Sequence, residues 1–157
     1  MSYLVVYMSQ HGTTQKLATY LSQELDDKVR LVNLANEAMP DIESWSTVII
    51  GGSIHMGQIQ KKIRQFCELN EKQLLLKRLG LFICFMNTEE GAVEFDTAFP
   101  ESLRTHAVAH GLFGGELLLE KMNFLERLMV KAVRGVKESV SVVDEDAVEE
   151  FLRLIRE

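Results

Sequence analysis

The chain has 157 residues, 46% of them hydrophobic and 25% charged, the balance of a soluble globular protein large enough to bury roughly two thirds of the surface its unfolded form exposes. Its formal charge of -6, with no basic stripe, argues against nucleic acid as the main partner. No stretch approaches the ~20 apolar residues of a membrane-spanning helix, and the apolar start is too short for a secretory signal and lacks a cationic leader, so a cytoplasmic protein is expected.

The pattern opens with Tyr3 to Met8, nearly all apolar, as in a central parallel strand covered on both faces. A helix follows from about Thr13 to Leu25, with Leu17, Ala18, Leu21 and Leu25 on one stripe. The alternating run Val29 to Leu34 suits an outer strand. After turn material from Asn36 to Ser46, a third strand carries Val48, Ile49 and Ile50 and ends in Gly51-Gly52-Ser53. A second helix is expected from near Gln58, burying Ile59, Ile63, Phe66 and Cys67, followed by a fourth strand, Leu79 to Met86. Pro100 to His106 reads as a helix with proline in its first turn, and Val108 to Gly114 as a fifth strand. The last helix starts after Asp144, has Glu145 and Asp146 in its first turn, and buries Val148, Phe151, Leu152 and Ile155.

Strand and helix thus alternate about five times, with no repeat and no linker. The expected fold is α/β: one domain over 1–157, an open doubly wound parallel sheet of five strands between two helical layers, with a late insert at about 116–138. Ligands of such sheets sit beyond the carboxyl ends of the strands. Three loops reach that crevice: 9–14, 51–58 and 87–92. The first, Ser9-Gln10-His11-Gly12-Thr13-Thr14, brings hydroxyls, a glycine and the positive end of a helix dipole to one point, which makes it a phosphate site without lysine or metal.

Other doubly wound proteins fail on single residues. Gly52 and Gly57 have P-loop spacing, but Gln58-Ile59 replaces the lysine and hydroxyl residue that must follow. Receiver domains need acidic residues where Ser9-Gln10 and Gly51-Gly52 stand, low-molecular-weight phosphatases need cysteine and arginine in the first loop, and a dinucleotide site needs GxGxxG. What remains is the flavodoxin pattern [ST]-x-x-G-x-T, which residues 9–14 fit. The chain resembles the flavodoxin family along its whole length. It is most similar to the branch of menaquinone-dependent protoporphyrinogen oxidases, through the opening strand and loop, residues 49–57 and residues 124–131.

That resemblance implies a flavodoxin-like three-layer sandwich of strand order 2-1-3-4-5 and FMN as cofactor. Ser9, Gln10, His11, Gly12, Thr13 and Thr14 would hold the FMN phosphate. Ser53, Ile54, His55, Met56 and Gly57 would wall the flavin, and Asn87, Thr88 and Gly91 would approach the pyrimidine edge of its ring. The second and third loops lack the tryptophan or tyrosine that many electron-carrying flavodoxins stack on the flavin, His55 being their one ring, although Phe95 or Phe99 could swing over. An uncovered flavin suits a bulky reactant. The resemblance therefore implies a flavin-dependent dehydrogenase or oxidase passing electrons from a porphyrinogen to a quinone. The alternatives are a soluble electron carrier that docks to redox partner proteins, and a scaffold that keeps the fold without flavin.

The remaining residues read more plainly. Cys67 and Cys84 form no CxxC or CxxH pattern and are expected in the core rather than at a metal or as a redox dithiol. Trp45 is expected at a core edge, and His106 and His110 without a role. Within 117–137 an apolar stripe (Leu117, Leu118, Leu119, Met122, Phe124, Leu125, Leu128, Met129) runs with Lys121, Arg127, Lys131, Arg134 and Lys137. Such a segment is either ordinary packing or a surface for a membrane or partner, which would make the protein membrane-associated.

Overall fold

The structure, a computed structural model, describes residues 1–9, 12–86, 89–114, 116–117, 140–141 and 143–157. In chain order the elements are β1 (Ser2–Tyr7), α1 (Thr13–Glu24), β2 (Lys28–Asn33), β3 (Thr47–His55), β4 (Gln58–Ile59), α2 (Lys61–Leu74), β5 (Arg78–Cys84), α3 (Gly91–Ala98), α4 (Glu101–His106), β6 (Ala109–Leu112), β7 (Glu116–Leu117), β8 (Val140–Ser141) and α5 (Glu145–Arg156). The main sheet runs β2-β1-β3-β5-β6, all parallel, which is the order 2-1-3-4-5 once the short β4 is set aside. β4 folds back antiparallel on the end of β3, and β7 pairs with β8 apart from the sheet.

Alternate residues of each strand feed opposite cores, which is why the central runs are apolar throughout. Tyr3, Val5 and Tyr7 face Leu17, Ala18 and Leu21 of α1 and Val148, Phe151, Leu152 and Ile155 of α5. Leu4 and Val6 face Ile63, Phe66 and Cys67 of α2 with Phe95, Ala98 and Leu103 of α3 and α4. In the first of these cores Phe82 stacks on Phe113 at 5.0 Å and meets Phe151 edge-on at 6.1 Å. Trp45 lies buried at the rim of the other, with Lys28 Nζ 5.0 Å from its ring centre.

Four expectations change. β3 does not stop at the glycines but runs to His55, because both glycines are strand residues filled by their neighbours. A Cβ on Gly51 would lie 1.9 Å from the Phe82 ring, and one on Gly52 would lie 2.6 Å from Gln60 Oε1. The second helix starts at Lys61, not near Gln58, since Met56 (φ 51°) and Gly57 (φ 79°) make a two-residue turn with both φ positive and send the chain back as β4. Ile59 is therefore buried as a strand residue. The third loop is shorter than expected, because Gly91–Ala98 is helical. Phe95 and Phe99 are not free to swing out over the loops; they are buried, their ring centres 5.3 Å apart, in the core beneath α3. Most of the late insert lies outside the described residues.

Candidate functional site

The carboxyl ends of β1, β3 and β5 meet where the winding of the sheet reverses, and three polar side chains join them. Thr14, in the first turn of α1, is buried, with Oγ1 2.8 Å from Ser53 Oγ on β3. Gln60, the residue before α2, reaches back across the hairpin. Its Oε1 accepts the Ser53 N–H at 2.9 Å, and its Nε2 donates to the Met8 carbonyl at 3.0 Å and to Ser53 Oγ at 3.3 Å. The end of β1 is thereby tied to the end of β3 by one amide, and the Thr14–Ser53 hydroxyl pair sits over the tie.

The loop itself is shaped for backbone donors. Gly12 takes φ 92°, a left-handed conformation that costs glycine little, and its N–H donates to Ser9 Oγ at 3.1 Å. From there α1 begins with no side-chain cap among the described residues and no acid in its first turn. The amides at its start carry the positive end of the helix dipole, and none of these side chains opposes an incoming anion. Beside this point an open depression of about 430 Å³ runs down α1 past Gln15, Lys16, Thr19, Tyr20 and Gln23 and meets the loop at Gly12.

Behind the hydroxyl pair lies Cys84, the last residue of β5, beside the Thr14 hydroxyl. Burial pushes its thiol up to about 12, more than the Thr14 hydroxyl draws it down. Cys67 is likewise pushed up to about 12, by burial and by Glu68 and Glu71. Both stay protonated near neutral pH, so neither thiol is a nucleophile. The site can bind and orient an anionic ligand, and it offers no acid–base pair of its own among the described residues.

A family model described as "Flavodoxin domain" matches residues 4–142, most of the chain and all three crevice loops. The chain belongs to the flavodoxin-domain family. Solved flavodoxins share its fold at low identity. A short-chain flavodoxin associated with a non-canonical PDU bacterial microcompartment superposes with a TM-score of 0.58 at 14% identity, over 99% of this chain and 95% of that one. A flavodoxin from the domain Archaea gives 0.56 at 12%, over 99% and 94%. The rubredoxin oxygen:oxidoreductase of Desulfovibrio gigas gives 0.53 at 15%, but this chain spans 36% of that protein. No curated protein matches the sequence.

Set on this flavodoxin framework, Ser9, Gly12, Thr13, Thr14 and Ser53 converge at the crevice, while Gln10, His11, Asn87 and Thr88 lie outside the described residues. Ile54 and His55 continue β3, His55 pairing with Gln58 across the turn, and Met56 projects from its tip, 93% exposed. Gly91 opens α3 and is buried, its missing side chain leaving room for the Phe85 ring 2.6 Å from where a Cβ would stand. Residues 124–131, the third segment of the sequence resemblance, are outside the described residues. His106 and His110 bond to the carbonyls of Lys77 and Arg104, away from the crevice.

Gln60 is the residue that sequence reasoning missed. The signal was present in principle: a strand that continues through Gly-Gly and returns at a Met-Gly turn places the residue before α2 beside its own carboxyl end. Reading Gly51-Gly52 as a loop hid that geometry.

Proposed function

We propose that this chain binds FMN and acts as a flavin redox protein. The observation that carries the reading is the half-buried Thr14–Ser53 hydroxyl pair set against a helix start that has no side-chain cap among the described residues and no acid in its first turn, at the carboxyl edge of the sheet. That donor set fits a phosphate: hydroxyls, backbone N–H groups and a left-handed glycine, with no acid in the first turn of the helix. Ser9, Gln10, His11, Gly12, Thr13 and Thr14 would hold the phosphate with Ser53. Ile54, His55, Met56 and Gly57 would wall the ring system, and Asn87, Thr88 and Gly91 would meet its pyrimidine edge. When bound, FMN supplies electron or hydride transfer, while the protein supplies binding, orientation and electrostatics. In this reading Thr14 and Ser53 bind and orient, Gly12 lets the backbone approach, and the buried aromatic core holds the strand ends fixed beneath them.

The deciding measurement is calorimetry with FMN and riboflavin, alongside the absorbance spectrum of the purified protein. FMN is expected to bind at least roughly tenfold more tightly than riboflavin, since two or more phosphate hydrogen bonds to charge are each worth over 1 kcal/mol. Absence of FMN binding, or equal affinity for riboflavin, would overturn the reading.

The finer proposal is that the flavin meets a bulky reactant directly, taking hydrogen from a porphyrinogen and passing electrons to a quinone. Its support is the lack of a tryptophan or tyrosine among the described residues of the second and third loops, with Phe95 and Phe99 both committed to the core and His55 and Met56 exposed at the rim. Oxidation of protoporphyrinogen by the FMN-loaded protein with a quinone acceptor tests it. No turnover with any quinone, beside electron exchange with a flavodoxin reductase, would leave the electron-carrier form of the reading in its place.

A further inference from the structure

The amide behind the hydroxyl pair has a fixed orientation. The Ser53 N–H can only donate and the Met8 carbonyl can only accept, so Oε1 of Gln60 faces the first and Nε2 the second. The other Nε2 hydrogen then points at Ser53 Oγ, 3.3 Å away. Ser53 Oγ and Thr14 Oγ1 own two hydroxyl hydrogens and share one contact of 2.8 Å. Whichever oxygen donates in that contact, one hydroxyl hydrogen is left to point elsewhere. Gln60, itself donating into the pair, does not consume it. Among the described residues the further neighbour of the pair is Cys84, behind Thr14, whose sulfur is a weak acceptor that an anion at the crevice outcompetes. Gly52 belongs to the same arrangement, since a Cβ there would stand 2.6 Å from Gln60 Oε1.

We infer that Gln60 is a positioning residue: by donating to Ser53 it keeps the Ser53–Thr14 pair a hydrogen-bond donor toward the ligand, and so sets how strongly the site prefers a phosphate-bearing flavin over a phosphate-free one. The inference rests on the FMN reading above. A carboxylate of the same shape would reverse the count. Ser53 would donate to it, the mutual contact would use the second hydrogen, and none would remain for the phosphate.

The test is Gln60→Glu, with dissociation constants for FMN and riboflavin measured on the full chain. The ratio of riboflavin to FMN constants is expected to fall roughly 10- to 100-fold, the worth of one hydrogen bond to a charged group, with riboflavin affinity little changed and the melting temperature lowered, because a carboxylate also loses the bond to the Met8 carbonyl. In a Ser53→Ala background the same substitution is expected to leave the ratio where Ser53→Ala alone puts it, because the effect runs through Ser53. An unchanged ratio in Gln60→Glu, an equal loss for both ligands, or an undiminished effect in the Ser53→Ala background would overturn the inference; the last outcome would mean plain charge repulsion. Should Gln60→Glu fail to fold, the wild-type protein still decides. Its Gln60 side-chain amide resonances are expected to move on binding FMN and to stay on binding riboflavin, and resonances indifferent to both would overturn the inference. Wild-type protein that does not bind FMN would overturn the FMN reading and this inference together, whereas FMN binding with an indifferent Gln60 would remove the inference alone.

Discussion

Two helices start at the same edge of the sheet in opposite ways. α5 is closed by its own sequence: Asp144 accepts the Ala147 N–H at 3.0 Å, and Glu145 and Asp146 set negative charge against the helix dipole. α1 starts from a left-handed glycine, with no side-chain cap among the described residues and no acid in its first turn. Its stripe packs on the same core, so the difference is not one of burial. A helix left without cap and charge forgoes on the order of 1 kcal/mol. The contrast teaches that α1 is held by its apolar stripe and the Thr14–Ser53 contact rather than by a cap, which leaves its end open to the proposed ligand.

The largest loss should come from disturbing the sheet under both helices. Gly51→Ala places a methyl group inside the Phe82 ring, which stacks on Phe113 and meets Phe151 of α5 and so has nowhere to turn. Overpacking of this kind costs about 1–3 kcal/mol or more, and chemical denaturation should show that loss or outright failure to fold. A wild-type midpoint would mean that the two helices do not share one rigid platform.

Gly12→Ala comes next and strikes the α1 side alone. A side chain at φ 92° costs about 1–2 kcal/mol, and the loop it distorts is the proposed cradle. Stability and FMN affinity should therefore fall together. On the α5 side, Asp144→Ala should cost about 1 kcal/mol, a lowering of the melting temperature by about 2–4 °C, with FMN affinity unmoved. If Asp144→Ala weakens FMN as much as Gly12→Ala does, the two helix starts are not separate in function.

The same contrast explains what the sequence disclosed. The capped start of α5 and its stripe Val148, Phe151, Leu152 and Ile155 follow local rules, and the structure has them where those rules put them. The run Tyr3–Met8 and the hydroxyl-rich loop after it were legible for the same reason, since composition and order sit side by side in the chain. Less legible was whatever depends on partners far away in sequence. Gly51 and Gly52 look like a turn until the Phe82 ring and the Gln60 amide are seen to fill their missing side chains. Met56-Gly57 is a hairpin turn carried by a methionine at positive φ, a residue that ordinary turn chemistry does not nominate. Phe95 and Phe99 read as rings able to swing over a flavin because no helix was legible at Gly91–Ala98, whose burial is decided by the sheet beneath it.

The smallest effect is the most pointed, because it makes α1 resemble α5. Gln15 is exposed in the first turn of α1, so Gln15→Glu adds an acid against the dipole without touching the core. Alone, that change should stabilise the protein by about 0.3–1 kcal/mol. In the proposed site the same charge would face the phosphate, and FMN affinity should drop about three- to fivefold while riboflavin affinity holds. Added salt should shrink the drop, since an exposed charge is screened within about 10 Å at 0.1 M. The mirror change, Glu145→Gln with Asp146→Asn, should cost α5 a similar amount of stability and leave FMN alone. Opposite signs for stability and affinity at α1, with a pure stability change at α5, are what a helix end reserved for an anion requires. A gain in stability at Gln15→Glu with no loss of FMN affinity would show that the bare start of α1 serves no ligand.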